Sequence, residues 1–442
     1  MRSCRSVRHT VKTAHTDVYS PCMNIVIFTD TYRPEINGVV TSIDVFRRQL
    51  IAEGHAVHLF APRYFGMDEP DPTIHRLPSI PFPFPMMKER RVVFPTLRAV
   101  RTFKKLKPDV LHSQVPGNLG VLALILSWWY RVPHVHTYHT LFIEYTHYMP
   151  LLQSFSRRAV VWISRHFCGR CQYIISPSLM IRDEIRSYGV DAPIAVIPTG
   201  IDFDPTRKVI PADEIKRRHR MPTDKKLLLY VGRVGREKSI DFLVKVTKKI
   251  LEARDDVRLV VVGDGPDRPG LVALAEKLGV RDAITFTGYV PREEVFSIYA
   301  AADVFTFASR TETQGLVLLE AMSVGTPVVA VDAMGVHDLL ADGIGGVLSK
   351  PSVTEFAAHV TSLLDDRTRY ENVKRDALRK AETWSVARMA EKLTACFKES
   401  IADLKRHGKP RFRRRPWYSP ETKIPYTRRL RPVKNPDRIA TQ

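Results

Sequence analysis

Short apolar runs recur near residues 24, 56, 109, 133, 172 and 194 with helical segments between them, and the same alternation starts again near 226, 257, 284, 303, 327 and 346. Strands separated by helices pair in parallel, with the helices covering both faces of the sheet. Two such series predict an α/β chain with two doubly wound, Rossmann-like domains and a ligand cleft between them, because ligands gather outside the carboxyl ends of parallel strands. A length of 442 residues exceeds one ordinary core and suits two. The division that follows is a basic extension at 1–22, an amino-terminal domain at 23–202, a carboxyl-terminal domain at 203–385, a last helix at 386–404 and a basic, Pro-rich, disordered tail at 405–442.

Chemistry concentrates between Arg310 and Ala330. Gly315 permits a tight turn, and Leu316 to Met322 are good helix formers, so the unpaired amides of a first helical turn face the preceding loop and suit an anion. Glu312 lies in that loop, and Glu320 lies about 7 Å up the helix. One carboxylate suits a hexose hydroxyl and the other a ribose hydroxyl; two solvated surface acids are the plain alternative. Upstream, Lys226 to Val231 reads as a buried strand, followed by a turn holding Gly232, Arg233 and Lys238 and a helix from Ile240 to Leu251. Two fixed cations at such a turn can hold a diphosphate without a divalent metal. A second strand, Val257 to Val262, leads into Gly263-Asp-Gly-Pro266, where Asp264 either caps the next helix, the preferred reading, or touches ligand.

Gly232-Arg233, Glu237-Lys238, Val262 to Pro266, Gly288-Tyr-Val290 and the Glu312/Glu320 pair resemble the donor domain of GT-B glycosyltransferases of family 4, which are retaining enzymes. Ile25 to Val40 is similar to that family's first strand and glycine loop, and Ile197 to Asp202 to its hinge. The resemblance covers residues 23 to about 385 and implies an acceptor domain at 23–202, a donor domain at 203–385 and a final helix crossing back onto the first domain. It also implies that Arg233, Lys238 and the amides of Gly315 and Leu316 steady the diphosphate, and that Glu312 orients the sugar. Gly38 lets the amino-terminal loop approach the diphosphate, while Gly263, Val290, Thr313, Gln314, Val317 and Glu320 complete the donor pocket. No metal or other cofactor is expected. His136-Thr-Tyr-His-Thr140 and Tyr145-Thr-His-Tyr148 resemble the subset acting on membrane diacylglycerol, and His139, just beyond a strand at 133–137, is the imidazole expected to donate to a hexose hydroxyl or assist protonation of the leaving oxygen.

The implied reaction moves a hexose, glucose from UDP-glucose, onto a diacylglycerol-type lipid. The same chemistry on a soluble or polyprenyl-linked glycan, such as mannosyl transfer from GDP-mannose, is a second reading. A noncatalytic lipid- or nucleic-acid-binding protein that keeps the sugar-nucleotide cleft is a third.

The formal charge of +21 is uneven: residues 405–442 contribute thirteen cations against two acids and residues 1–22 four against one, which leaves +7 for 23–404. A tail mixing Lys and Arg with Trp417 and Tyr418 suits anionic headgroups, and nucleic acid is not the expected partner. Lys88 to Lys107 holds eight cations and one Glu, and after Pro95 it forms an amphipathic pattern. Arg90, Arg91, Arg98, Arg101, Lys104 and Lys105 are the candidate membrane contacts, with the apolar side either in a membrane interface or on its own sheet. Trp128 and Trp129 fit an interfacial role too, with core burial the preferred expectation. No apolar run reaches a membrane-spanning length, and the five scattered cysteines argue for a reducing compartment rather than a disulfide framework. Cys168-Gly-Arg-Cys171 lacks a partner pair and is not read as a metal site. The expected location is cytoplasmic and peripheral to the inner face of a membrane, with Met23, just before the first strand, as the expected working start. Oligomeric state is left open.

Overall fold

Val257 to Val262 shows why these segments become central parallel strands: five of its six side chains are buried, on both faces of the sheet. In the computed structural model, residues 22–411 are described apart from 36, 68, 82–90, 140–152, 205 and 313.

The strands are β1 (Asn24–Phe28), β2 (Ala56–Pro62), β3 (Ile74–Leu77), β4 (Ser79–Pro81), β5 (Arg91–Val93), β6 (Val110–Ser113), β7 (His134–Thr137), β8 (Tyr173–Ser176) and β9 (Ile194–Val196), then β10 (Lys226–Val231), β11 (Val257–Val262), β12 (Ile284–Gly288), β13 (Val304–Phe307), β14 (Val328–Val331) and β15 (Gly346–Ser349). The helices are α1 (Gly38–Ala52), α2 (Leu97–Leu106), α3 (Asn118–Tyr130), α4 (Gln153–Cys168) and α5 (Leu179–Ser187), then α6 (Ala212–Arg218), α7 (Ile240–Leu251), α8 (Arg268–Lys277), α9 (Arg292–Ala301), α10 (Leu316–Ser323), α11 (Met334–Leu340), α12 (Val353–Asp365), α13 (Arg367–Thr383) and α14 (Val386–His407).

The first sheet runs β3-β2-β1-β6-β7-β8-β9 and the second β12-β11-β10-β13-β14-β15, all parallel. Two doubly wound Rossmann-like sheets are therefore present. The short β3 at the edge, and the antiparallel pair β4 and β5, carry no clear alternation in sequence and add to the predicted strands.

One face of the first sheet is covered by α1 and α14, the other by α2, α3, α4 and α5. Ser385 caps α14 through its hydroxyl, and Met389, Leu393 and Phe397 carry that helix into the core beneath α1. The return is fixed by backbone bonds on either side of Ile201: its amide donates to the Trp384 carbonyl (3.0 Å), and its carbonyl accepts from the Val386 amide (2.9 Å). A Cβ at Gly200 would overlap the Val386 backbone, so only glycine fits this crossing. Two further contacts join the domains. The Thr199 amide donates to Gln314 Oε1 (2.9 Å), and Asp338 on α11 accepts from the amides of Leu179 (2.8 Å) and Met180 (3.4 Å) at the start of α5.

Several sequence expectations change. Asp264 does not cap α8; Asp267 occupies the capping position, while Asp264 accepts from the Gly265 amide and pairs with Arg268 (3.1 Å). Trp128 and Trp129 are not core residues, being 40% and 56% exposed on the outer side of α3. The choice left open for α2 resolves by position: Ala99 and Phe103 are buried on the sheet, whereas Leu97 is exposed. Arg91, ahead of the helix, lies on β5; its guanidinium donates to Ser79 (2.7 Å to the hydroxyl) and stacks over the Tyr64 ring. Arg98, Arg101, Lys104 and Lys105 are exposed on α2, and Arg90 lies outside the described residues.

At the carboxyl edge of the second sheet the backbone itself closes the floor. Gly232 and Gly263 have φ of +150° and +120°, the Gly263 amide donates to the Gly288 carbonyl (2.8 Å), and a Cβ on Gly263 would overlap the Gly232 carbonyl oxygen. Gly263→Ala is expected to destabilise the protein by about 2–4 kcal/mol through overlap and backbone strain, read as a lowered urea midpoint. An unchanged midpoint would show that the floor can yield.

Candidate active site

The turn after β10 and the loop after β13 meet at the carboxyl edge of the second sheet. Lys238 closes a short 3₁₀ turn over Arg236–Lys238, and its Nζ donates to Glu312 Oε2 (2.9 Å), with both side chains mostly buried. Arg233, more exposed, pairs with Glu237 (2.6 Å). The Tyr230 hydroxyl donates to the Arg233 carbonyl (3.0 Å) and the Ser309 hydroxyl to the Glu237 carbonyl (3.2 Å), so this turn is braced from the sheet. Lys238 uses one of its three donor hydrogens on Glu312. A diphosphate can therefore engage the same ammonium without separating the pair.

Gly315 sits in the left-handed region (φ +69°) and opens α10, whose first residues are Leu316 and Val317. The orphan amides of that turn carry the positive end of the helix dipole toward the Glu312 loop. Glu320, one turn further along, is buried; Arg292 (2.5 Å) and the Tyr299 hydroxyl (3.0 Å) donate to its two oxygens. Burial and the Glu320 charge push the Tyr299 phenol up, which keeps it a donor. Each carboxylate oxygen retains acceptor capacity.

The Glu312 carbonyl accepts from the Gly335 amide (3.0 Å), so α11 supports the loop that carries this carboxylate. Gln314, expected in the donor pocket, spends its side-chain oxygen on the Thr199 amide at the hinge. Val290 is half-buried against the second core, and its neighbour Tyr289 is 82% exposed. Thr313 lies outside the described residues. Across the hinge, Asn37 caps α1 by accepting from the amides of Val39 (3.1 Å) and Val40 (3.0 Å), and a Cβ on Gly38 meets no atom within 4 Å. Gly38 is thus not required by packing.

The ends of β6 and β7 carry a group of imidazoles, with His112, His134 and His136 buried and His139 half-buried. His139 Nε2 donates to Gln114 Oε1 (2.7 Å), whose amide nitrogen faces His112, and Ser113 Oγ bonds both His134 (2.7 Å) and His136 (2.8 Å). Burial pushes His112 and His134 down to about 3, His139 to about 4 and His136 well below its ordinary value. A neutral His139 that donates through Nε2 offers Nδ1 as an acceptor. A hexose hydroxyl would donate to it, the reverse of the donor role expected from sequence. His136 is a core residue bonded to Ser113, and Tyr145, His147 and Tyr148 lie outside the described residues.

Sequence reasoning missed Gln114, Arg292 and Tyr299. Gln114 directly follows β6, beside the end of β7, where the carboxyl-edge rule could have found it. Arg292 and Tyr299 open and nearly close one helix, with no signal that they face a carboxylate on another. Among the described residues no His, Cys, Asp or Glu group has metal-binding form, and Cys168 and Cys171 are buried thiols, the former pushed up to about 12.

Residues 36–205 match the model of Glycosyltransferase Family 4, and 211–380 that of Glycosyl transferases group 1. The chain is 34% identical over 332 residues to the α-monoglucosyldiacylglycerol synthase of Streptococcus pneumoniae, covering 74% of this chain and 75% of that one. It belongs to glycosyltransferase family 4. A GDP-mannose-dependent α-mannosyltransferase of Mycolicibacterium smegmatis is 31% identical, covering 82% and 94%. The crystal structure of Anabaena Alr3699/HepE in complex with UDP superposes with a TM-score of 0.65 at 17% identity, covering 85% of this chain and all of that one, which shows a shared GT-B fold. As a member of this family the protein is a hexosyltransferase, with Lys238, Glu312 and Glu320 within the second matched region and His139 within the first.

Two outcomes follow. Lys238→Ala should lower kcat/KM for nucleoside-diphosphate release by about 100-fold, and Arg233→Ala, at a more exposed cation, by less; equal losses would remove the distinction between them. Because the unfolded chain protonates these histidines below about pH 6.5 while the folded cluster stays neutral until pH 4 or lower, the cluster's contribution to stability is complete above pH 6.5 and declines as pH falls toward 4. Calorimetry should find the thermal midpoint lower by on the order of 10 °C at pH 5 than at pH 7.5. A level midpoint would contradict neutral burial of this cluster.

Proposed function

We propose that this family 4 enzyme transfers glucose from UDP-glucose to a diacylglycerol-type membrane lipid with retention of anomeric configuration. The observation that carries the acceptor assignment is the 34% identity to an α-monoglucosyldiacylglycerol synthase across three-quarters of both chains. The bond between the anomeric carbon and the donor phosphate oxygen breaks, a bond from the same face to the acceptor hydroxyl oxygen forms, and the hydroxyl proton passes to the departing phosphate.

In this reading the diphosphate lies between Lys238, Arg233 and the amides that open α10, where fixed donors meet the growing negative charge. Glu312, held by Lys238 and Gly335, accepts from hexose hydroxyls. Glu320, oriented by Arg292 and Tyr299, accepts from the ribose. His139 Nδ1 accepts from a further hexose hydroxyl, and Gly38 gives the diphosphate close approach to the start of α1. The charge is met by protein cations and amides, so the reading includes activity without a divalent metal. Among the described residues no helix is long and apolar enough to cross a membrane. The exposed cations of α2 suit attachment to the inner, anionic face of a bilayer. Mannosyl transfer from GDP-mannose is the second reading, favoured by the 31% identity that spans 94% of a mannosyltransferase.

The test is nucleoside-diphosphate release from UDP-glucose, UDP-galactose and GDP-mannose, with and without diacylglycerol in nonionic detergent micelles, beside Glu312→Ala and an added chelator. Release with UDP-glucose that requires diacylglycerol, survives chelation and drops by about 100-fold or more in the variant is expected. Turnover with GDP-mannose alone would replace the donor assignment, and turnover indifferent to diacylglycerol would replace the acceptor.

A further inference from the structure

Helix α3 has no charged side chain in its thirteen residues, and only one side of it is used by the core. Leu119, Leu122, Ala123 and Leu126 are buried with Ala99 and Phe103 of α2 in one cluster against the sheet. On the other side Val121, Ile125, Trp128 and Trp129 are 47%, 39%, 40% and 56% exposed. At about 100° per residue these four fall within roughly 100° of the helix circumference, so they form one continuous stripe. A helix apolar on all sides belongs in an interior or against another apolar phase.

The surroundings specify that phase. The rings of Phe103 and Tyr130 approach to 5.4 Å, which brings the cationic last turn of α2, with Lys104 and Lys105, beside the tryptophan-bearing end of α3. On the opposite flank a Cβ at Gly120 would lie 3.2 Å from the Phe167 ring, so α4 packs directly on α3, and α4 exposes Trp162 (58%) and Ile163 (46%). An apolar, tryptophan-rich stripe edged by exposed cations complements the acyl–headgroup boundary of an anionic bilayer, where indole rings settle and Lys and Arg reach phosphates.

We infer that the outer face of α3, with Trp128 and Trp129 as its anchors, is the surface that enters the membrane, and that α2 supplies the electrostatic contact beside it. This extends the lipid-acceptor reading, on which it rests for the choice of an anionic bilayer as occupant. Because α3 runs antiparallel to the strands, its amino end lies by the cleft edge, where Asp30 at the end of β1 accepts from the Leu119 amide (3.0 Å). Its tryptophans lie about 15 Å further from the cleft. A helix lying flat in the interface therefore leaves the cleft opening along the bilayer surface, where a lipid acceptor enters from the side.

The test uses the full chain with vesicles of phosphatidylcholine and phosphatidylglycerol in which part of the phosphatidylcholine carries brominated acyl chains. Tryptophan fluorescence of the unaltered protein should be quenched, and most of that quenching should vanish in Trp128→Phe/Trp129→Phe. Trp129→Glu should weaken vesicle binding at about 0.15 M salt by tenfold or more, with circular dichroism unchanged. Absence of quenching, or equal affinity in Trp129→Glu, would overturn the inference. So would a dimer in sedimentation velocity that dissociates in Trp129→Glu, since a second copy would then cover the stripe. Turnover of diacylglycerol in detergent micelles reads the acceptor assignment separately: quenching without any micellar turnover sinks that assignment and leaves the surface, whereas turnover without quenching does the opposite.

Discussion

Two backbone hydrogen bonds at Ile201 decide where everything else can stand. They hold the strand-like hinge against Trp384 and Val386, so the chain leaves the first domain and re-enters it at one point, and α14 buries Met389, Leu393 and Phe397 in the core of the domain it left. A domain joined by one linker could swing freely; one joined by a linker and a returning helix of 22 residues has far fewer orientations. The smaller contacts act within that restraint. Gln314 reaches the hinge amide of Thr199, and Asp338 closes the amino end of α5. Elements that present Glu312 and His139 are thereby held across one cleft.

Within the cleft the charges are arranged as pairs. Lys238 with Glu312, Arg233 with Glu237, and Arg292 with Glu320 each bring a cation and a carboxylate together at the edge of the second sheet. Ion pairs that keep contact with solvent contribute little to stability, so their value is positional: each fixes a flexible side chain at the edge of the sheet, where the proposed reading sets the diphosphate and the sugar hydroxyls. The first domain supplies the contrast. The imidazoles His112, His134, His136 and His139 are kept neutral by burial, and the one nearest the cleft, His139, offers a lone pair instead of a charge.

Most of the fold was legible because it follows from runs of buried β-branched and leucine residues whose spacing survives in any context, as in β10, β11 and α7. The elements that escaped are short and lean on neighbours. β3 is four residues with one fully buried side chain, and β5 exists through its pairing with β4. At the site, the residues adjacent in sequence to a turn were visible, including Lys238, Glu312 and Gly315. Those that act from another element were not: Arg292 and Tyr299 reach Glu320 from α9, and Gln114 reaches His139 from just beyond β6. Trp128 and Trp129 were misplaced for a related reason. Composition marks α3 as apolar all round, but only tertiary packing shows that α2 and α4 leave one side of it uncovered.

The glycine floor has a consequence for how such an enzyme can change over generations. Gly232, Gly263 and Gly265 each face a neighbouring atom that any Cβ would meet at overlap distance: the Tyr230 hydroxyl, the Gly232 carbonyl and the Val234 carbonyl. The floor therefore has no room for side chains at these three positions, and substitution there is closed. Room for other side chains lies at the rim, where Tyr289 stands almost fully in solvent and Val290 is only half covered. A scaffold built this way can hold its backbone fixed while the rim around it changes one side chain at a time.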